Sequence, residues 1–321
     1  MSTSERPEMV PVSGRARMFF APVQRDQDSP TIFDPSAGFD PDAPASPWID
    51  LGWVENVKRS ATAKMGSVRT GPQGETRAQF RLQGEARLSL DFRQWGKLQM
   101  ALASSTQHMN VLASDGTVPQ PSGGHPIPAV TLGAGSSAQT LALDAVSLAK
   151  FAVGDLVVVD VDYSTQTGYI GTGVSGAYVA NGADVQYDPD YVRRVSYNVG
   201  RVAQIGSTSL TLEQPLLGGA PLPSAKQQKV VAFVDREGAS FFQEWSGLIV
   251  LPQRCGGTVC FYYPRLQSAA VSAETTHAIA DDVHSTALHA EFMAMPVKDS
   301  VDSEQVVCYR VYLPAKNAPM Y

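Results

Sequence analysis

Between Gln79 and Phe92 polar and apolar positions alternate for 14 residues. Phe80, Leu82, Ala86, Leu88, Leu90 and Phe92 take the even numbers; Gln79, Arg81, Gln83, Glu85, Arg87, Ser89 and Asp91 take the odd ones. A period of two sustained this long describes a strand with one face buried and one face wet. At about 3.3 Å per residue it would run roughly 46 Å, longer than most strands. Gly84, the one gap in the apolar series, marks a candidate bulge. A chain carrying such a strand must bury one long face and protect a long edge, which points to a mainly β fold.

A short helix is expected directly after it. Asp91 can cap, Gln94 completes a capping-box-like pair, and Trp95, Leu98 and Leu102 fall on one helical face. Further strands are read at Val230–Phe233, Leu248–Leu251, Val259–Tyr263, Thr286–Met295 and Val306–Leu313. In the last of these Val307, Tyr309, Val311 and Leu313 share a face.

Residues 1–47 are broken by Asp34-Pro35, Asp40-Pro41, Pro44 and Pro47 and read as an N-terminal arm, either flexible or laid along a neighbour. Within it Met18-Phe-Phe-Ala-Pro22 is apolar enough for a short edge strand. Order is expected to begin at Trp48-Ile-Asp50-Leu51-Gly52-Trp53. Pro/Gly-rich stretches, Pro119–Pro128 and Gly218–Pro223, bracket a region of different texture. It contains Phe151-Ala-Val-Gly154-Asp155-Leu-Val-Val-Val159, Tyr191–Val195, Val199–Val202 and an alternating hairpin at Ile205–Leu212. The expected division is therefore an inserted β domain at 118–229, with 48–117 and 230–321 forming one discontinuous domain.

Composition excludes several classes. With 43% hydrophobic and 17% charged residues the chain has material for a core and is not a disordered chain. A net charge of −6 disfavours a general nucleic-acid binder, which needs positive charge to displace counterions. There is no apolar run of about 18 residues to span a membrane. Met1-Ser-Thr-Ser-Glu-Arg-Pro has no apolar signal region, so assembly in a reducing cytosol is expected. Three cysteines make no disulfide framework, and Cys255 and Cys260 read as small apolar side chains of a hairpin around Gly256-Gly257.

The chemical motifs fail on their physics. Gly171-Thr-Gly173-Val-Ser-Gly176 spells a dinucleotide fingerprint but no helix follows to hold a pyrophosphate. His289-Ala-Glu291 resembles half of a zinc deaminase signature, yet the Pro-Cys-x-x-Cys half is missing, and a strand with a polar face explains it. Asp160-Val-Asp162 and Asp188-Pro-Asp190 have too few ligands for a calcium loop. His277 and His284 stand near Asp281-Asp282 without any nucleophile motif. No catalytic residue, cofactor or metal ligand is assigned, and the chain is read as not an enzyme.

Charge is distributed unevenly. Val54–Arg93 holds eight cations against four anions, a net +4, whereas Phe233–Tyr321 holds six against ten, a net −4. One reading is two solvated surfaces. The other is head-to-tail association, in which a basic patch of one copy meets an acidic patch of the next. Candidate contacts between copies are Lys58, Arg59, Lys64 and Arg69 on one side and Asp281, Asp282, Asp299 and Asp302, with Glu274 and Glu304, on the other.

The layout resembles a known family. Trp48-Ile-Asp50-Leu51-Gly52 opens the ordered part, and a polar Gly-rich loop is read at Ala61–Gly74. The long strand runs straight into Leu88-Ser-Leu90-Asp91-Phe-Arg-Gln-Trp95-Gly-Lys-Leu98-Gln-Met-Ala101-Leu102. Ala290-Glu-Phe292-Met-Ala-Met295-Pro-Val-Lys-Asp299 and Val306-Val-Cys308-Tyr309-Arg310-Val-Tyr-Leu-Pro314 stand near the C-terminus. Over residues 48–115 and 230–321 this is similar to the major tail tube protein of long-tailed bacteriophages. The resemblance implies a β-sandwich or small barrel with one packed α-helix. It also implies six-membered rings that stack through a long loop, and DNA passing down the lumen without specific binding. The expected partners are then other copies of the chain and other tail proteins, with no membrane, in a virion tail assembled in the host cytoplasm. Residues 118–229 depart from the minimal pattern as an extra β domain, which counts against a surrounding contractile sheath. The rival classes are a baseplate or receptor-binding β protein and a carbohydrate-active enzyme, the latter requiring paired carboxylates in one cleft.

Overall fold

The computed structural model describes residues 15–23, 29–93, 96–104, 106–113, 127–161, 167–168, 177–178, 191–237, 243–253, 257–269, 273–280 and 283–314. The fold is mainly β. In chain order the strands are β1 (Ala16–Pro22), β2 (Ile49–Thr70), β3 (Glu75–Phe92), β4 (Gln107–Leu112), β5 (Val130–Thr131), β6 (Thr140–Ala142) and β7 (Leu156–Asp160). They continue with β8 (Thr167–Gly168), β9 (Ala177–Tyr178), β10 (Val199–Ile205), β11 (Ser209–Leu212), β12 (Lys226–Arg236) and β13 (Glu244–Pro252). The last are β14 (Thr258–Ser268), β15 (Ala273–Ala280), β16 (Val283–Ala294), β17 (Val297–Lys298), β18 (Gln305–Val306) and β19 (Tyr309–Leu313). Two α-helices, α1 (Lys97–Ser104) and α2 (Ala145–Leu148), accompany them.

The chain divides into two compact units. The first comprises Met1–Val23, Asp28–Ser105 and Gln243–Tyr321; the second comprises Gln24–Gln27 and Thr106–Phe242. The second unit is wider than the expected 118–229 because β4 and the far half of β12 pair with each other, from Val230↔Leu112 to Arg236↔Gln107. Prolines and glycines mark breaks in regularity, but hydrogen-bonded partners decide which unit a strand joins.

In the first unit an antiparallel sheet runs β15-β16-β3-β2-β1-β13-β14-β19. β14 also pairs with β16, Leu266↔Ala294 to Ser268↔Phe292, so six of these strands close into a barrel. α1 packs on β14 and β16, and Ser268 Oγ donates to the Ala103 carbonyl at 3.0 Å. This helix begins six residues later than Asp91, which is still strand: its carboxylate accepts Asn56 Nδ2 at 2.6 Å and lies 2.7 Å from His289 Nδ1. Asp91 looked like a cap because it precedes an apolar stripe, but cross-strand partners claim it. Gln94 and Trp95 lie outside the described residues.

Of residues 1–47, expected as an arm, those the structure describes are part of the first unit. β1 is a central strand, paired with β2 on one side and β13 on the other. Both of its faces are buried, and no proline interrupts it before Pro22. On one face Phe20 stacks on Trp245 at 5.9 Å and meets Phe292 edge-on at 5.4 Å. On the other, Phe19 and Ala21 join Leu248, Val250, Cys260 and Tyr262 under a lid of Phe33, Trp48 and Phe39. Each such buried ring contributes about 1.5–3 kcal/mol. Polar ties fix the covering segment: Tyr262 Oη donates to Thr31 O at 2.7 Å, and Arg17 grips Asp50 at 2.6 Å and Asp42 at 2.7 Å. Those two carboxylates hold the Arg17 guanidinium above its ordinary pKa against the opposing effect of burial.

The second unit is a sheet in the order β6-β11-β10-β7-β12-β4-β9-β8, with β5 also on β12. β7 is buried on both faces. Val157 and Val159 face a core with Leu141, Leu148, Phe151, Val202 and Leu210, while Val158 packs with Leu112 and Val230. Asp144 caps α2 by accepting the Ser147 N–H at 2.9 Å, which lowers its pKa. Tyr191–Val195, read from sequence within a β unit, instead leads into a π-helical stretch, Arg193–Tyr197, closed by Asn198 N–H donating to Arg193 O at 2.8 Å. Gly171–Gly176 lies outside the described residues.

Candidate assembly surface

β2 and β3 form a hairpin paired from Val54↔Phe92 to Thr70↔Glu75. β1 accompanies β2 only as far as Val54, and β16 accompanies β3 only from Ala86 to Phe92. Beyond these points, among the described residues, the two strands have only each other. The free ribbon, Thr62–Thr70 against Glu75–Glu85, reaches about 30 Å. Ala61–Gly74, expected as a loop, is therefore mostly strand, with the turn confined to Gly71–Gly74. Both turn glycines hold positive φ, 84° and 67°, which a side chain would strain. From Ser67 to Gln79 every side chain is exposed, and Met65 and Val68 are 57% and 45% exposed. Ala, Lys and Gly, all depleted in strands, hide this one from a propensity reading; the partner strand enforces it.

The four candidate cations lie along β2 and not in one cluster. Lys58 is exposed at the root of the ribbon and Arg69, opposite Thr76, is exposed near its tip. The two are 11 residues apart in register with an extended strand, on the order of 35 Å. Lys64 pairs through its backbone with Gln83, and its side chain lies outside what is described. Arg59 is already engaged. Its guanidinium lies 3.9 Å from the centre of the Phe261 ring, its Nε donates to Tyr263 Oη, and its Nη2 is 3.2 Å from Cys308 Sγ. Burial pushes the Tyr263 hydroxyl up to about 12, against the lowering effect of Arg59. Arg59, although exposed, thus makes its contacts within its own unit.

Of the acidic candidates, Asp281 and Asp282 lie outside the described residues, as does the side chain of Glu274. Asp299 and Asp302 shape the turn between β17 and β18. Asp299 accepts Val301 N–H at 2.8 Å and Tyr309 Oη at 2.9 Å, which holds its carboxyl below the ordinary range. Asp302 accepts Glu304 N–H at 2.9 Å and stays exposed with Glu304.

A band of charge that sequence reasoning did not pair crosses β2, β3 and β16. Arg87 meets Glu291 at 2.9 Å, His289 meets Asp91, and Arg93 meets Glu55. His289 and Glu291 stand on the polar face of β16, as alternation requires. The signal was there in β3 and β16 as odd-numbered polar positions, but register was needed to match them. The sheet also ends in two strands with one partner each among the described residues: β15 beside β16, and β19 beside β14. A strand edge presents unpaired N–H and C=O groups that a further strand can take.

The second unit carries a buried polar cluster. Asp160, its side chain fully buried, receives Arg193 Nε at 3.0 Å and Nη2 at 3.1 Å, with Asn198 Nδ2 at 3.4 Å. Nearby in the same unit His108 Nε2 pairs with Ser196 Oγ, and Tyr191 Oη donates to His108 O. The Asp160 carboxylate is thus met by donors from Arg193 and Asn198, while among the described residues Asn198 Oδ1 has no hydrogen-bond partner. Among the described residues there is no group of three or more His, Cys, Asp or Glu side chains placed to hold a metal ion. No helix there is long and apolar enough to cross a membrane. The chain matches no protein-family model and no curated protein.

Proposed function

We propose that this chain is a structural virion protein that polymerises with copies of itself, as stacked hexameric rings, into the tail tube of a long-tailed bacteriophage. The tube is the conduit for DNA ejection. The observation that carries the reading is the β2–β3 ribbon. A two-stranded ribbon with exposed faces is marginal in water by itself and gains stability when a third strand or a packed surface meets it. The free edge of β15 offers the complementary device, since a neighbour's strand can extend the sheet there. Heterologous contacts of this kind close into a ring when the rotation between copies permits. The ring size and the stacking come from the resemblance in layout described above.

A net charge of −6 suits a conduit, because phosphate is repelled and not held by counterion release. Lys58, Lys64 and Arg69 remain the proposed basic contacts between rings, facing Asp281, Asp282, Asp299 and Asp302 of the next. In this reading the protein uses no cofactor and performs no catalysis. It sits in the virion tail after assembly in the host cytoplasm, next to other tail proteins. Negative-stain electron microscopy of the concentrated purified protein tests it. Rings or tubes are expected; a protein that stays monomeric at high concentration and inside any particle containing it overturns the reading.

A further inference from the structure

The root of the β2–β3 ribbon contains one residue too many. Val54 lies opposite Phe92 and Arg59 opposite Leu88, so five steps along β2 match four along β3. The surplus sits between Glu55, opposite Asp91, and Lys58, opposite Ser89. Within it Asn56 holds a φ of 52°, the left-handed region that asparagine tolerates better than most side chains. Its Nδ2 donates across the strand pair to Asp91 Oδ2 at 2.6 Å. The bulge follows Val54 closely, where β2 loses β1 as a partner and the ribbon begins. A second irregularity precedes it: Leu51 and Gly52 together face Met18 of β1, and Gly52 holds a φ of 86°.

We propose that Asn56 is a positioning residue, whose bulge sets the direction in which the ribbon leaves the barrel and so where the ribbon meets a neighbouring copy. A bulge bends its own strand and increases the local twist, so one placed at the root of a ribbon re-aims everything beyond it. It also sets faces. Val54 and Arg59 share the side of the buried Phe92 and Leu88 only because of the extra residue; in a regular strand the five-residue step would put them on opposite sides. The bulge thereby turns Arg59 towards Phe261 and Tyr263. Lys58 is left on the side of Ser89, with the wet band of Arg87 and Glu291. Asparagine suits the position twice: it accepts the positive φ, and its amide ties the bent backbone to β3. Glycine would supply only the first, and a β-branched residue neither. The consequence for assembly rests on the reading of the ribbon given above; the consequence for the ribbon's direction does not.

Deleting Asn56 from the full chain tests the proposal, because β2 can then pair without a bulge while Lys58↔Ser89 and every later pair is kept. The crystal structure of the deletion variant is expected to show the ribbon leaving the barrel at a changed angle; a ribbon along the wild-type direction overturns the proposal. Should the deletion fail to fold, Asn56→Val and Asn56→Gly make the same comparison at full length. Glycine should keep the direction, with faster hydrogen exchange at the ribbon's root, and valine should lose it; equal directions in the two overturn the proposal. Electron microscopy of the concentrated proteins gives the second readout. Tubes are expected from wild type and Asn56→Gly and not from the deletion or Asn56→Val, and normal tubes from a re-aimed ribbon overturn the link to the neighbouring copy. A wild type without tubes overturns the assembly reading alone, and the ribbon's direction still decides the role of Asn56.

Discussion

The guanidinium of Arg59 lies 3.9 Å from the centre of the Phe261 ring, joining the root of the β2–β3 ribbon to β14. Its hydrogen bond to Tyr263 and its approach to Cys308 add two further points of attachment. A flat cation that stacks and donates in fixed directions does this better than a lysine would. Arg59→Ala should destabilise the first unit by about 1–2 kcal/mol in chemical denaturation. Arg59→Lys should recover little of it, and Tyr263→Phe should lose part of the same energy, so the double variant falls short of the sum.

Reversing Lys58, Lys64 and Arg69 to Glu should stop tube growth while leaving the melting temperature of the subunit nearly unchanged. Exposed pairs contribute only about 0.2–1 kcal/mol each, but a ring repeats them in every subunit. Added salt should weaken the wild-type contact in the same direction. Tubes of normal length from the reversed protein, counted by electron microscopy, would refute the stacking contact.

Excising Thr106–Phe242 and bridging Ser105 to Gln243 with a short Gly/Ser linker should leave a folded β barrel. The excised unit has its own two cores and its own sheet. Circular dichroism and a cooperative melt of each piece check this. Failure of isolated residues 106–242 to fold would show that the two units are not independent.

Arg193→Ala should destabilise the second unit by about 3–5 kcal/mol, because it strands the fully buried Asp160 carboxylate. Pairing it with Asp160→Asn should restore part of the loss. Thermal unfolding of the three variants measures the difference, and equal losses in the single and double variants would contradict it.

Asp299 should titrate below a free aspartate when followed by NMR. Its hydrogen bonds from Val301 N–H and Tyr309 Oη favour the charged form. Its contribution is therefore complete above the unfolded carboxylate value and is lost as pH falls through the lower folded value. Asp299→Asn should remove this acid dependence of the β17–β18 turn, and an unshifted titration of the wild type would contradict the assignment.

The parts of the fold legible in the sequence were those with a strict period. The even-numbered series Phe80–Phe92 marked β3, and Leu248–Leu251, Val259–Tyr263 and Thr286–Met295 marked β13, β14 and β16. What failed was reading punctuation as absence of structure. Pro41, Pro44 and Pro47 keep their stretch out of strand and α-helix and Pro35 opens a single 3₁₀ turn, Pro35–Ala37, but Phe33, Phe39 and Trp48 between and beside them cover a buried face. β1 has no alternation to see, because both of its faces are inside. Ala, Lys and Gly in β2 look like loop until β3 is laid beside them. In the candidate surface the sign of each charge was legible and its partner was not. Arg59 and Lys58 are neighbours in sequence with opposite fates, decided by whether Phe261 and Tyr263 lie within reach.

The pairing of Phe20 with Gly247 sets a clock on vectorial synthesis. At about 5–20 residues per second the ribosome needs on the order of 10–50 s to deliver the second strand after the first. Thr106–Phe242 emerges within that interval and can finish folding, while β1, β2 and β3 wait with the barrel open. Until its C-terminal third is made, a nascent chain therefore carries unpaired edges on β1 and β3 that β13 and β16 will later fill. Those waiting strands are where a holding chaperone would find its substrate.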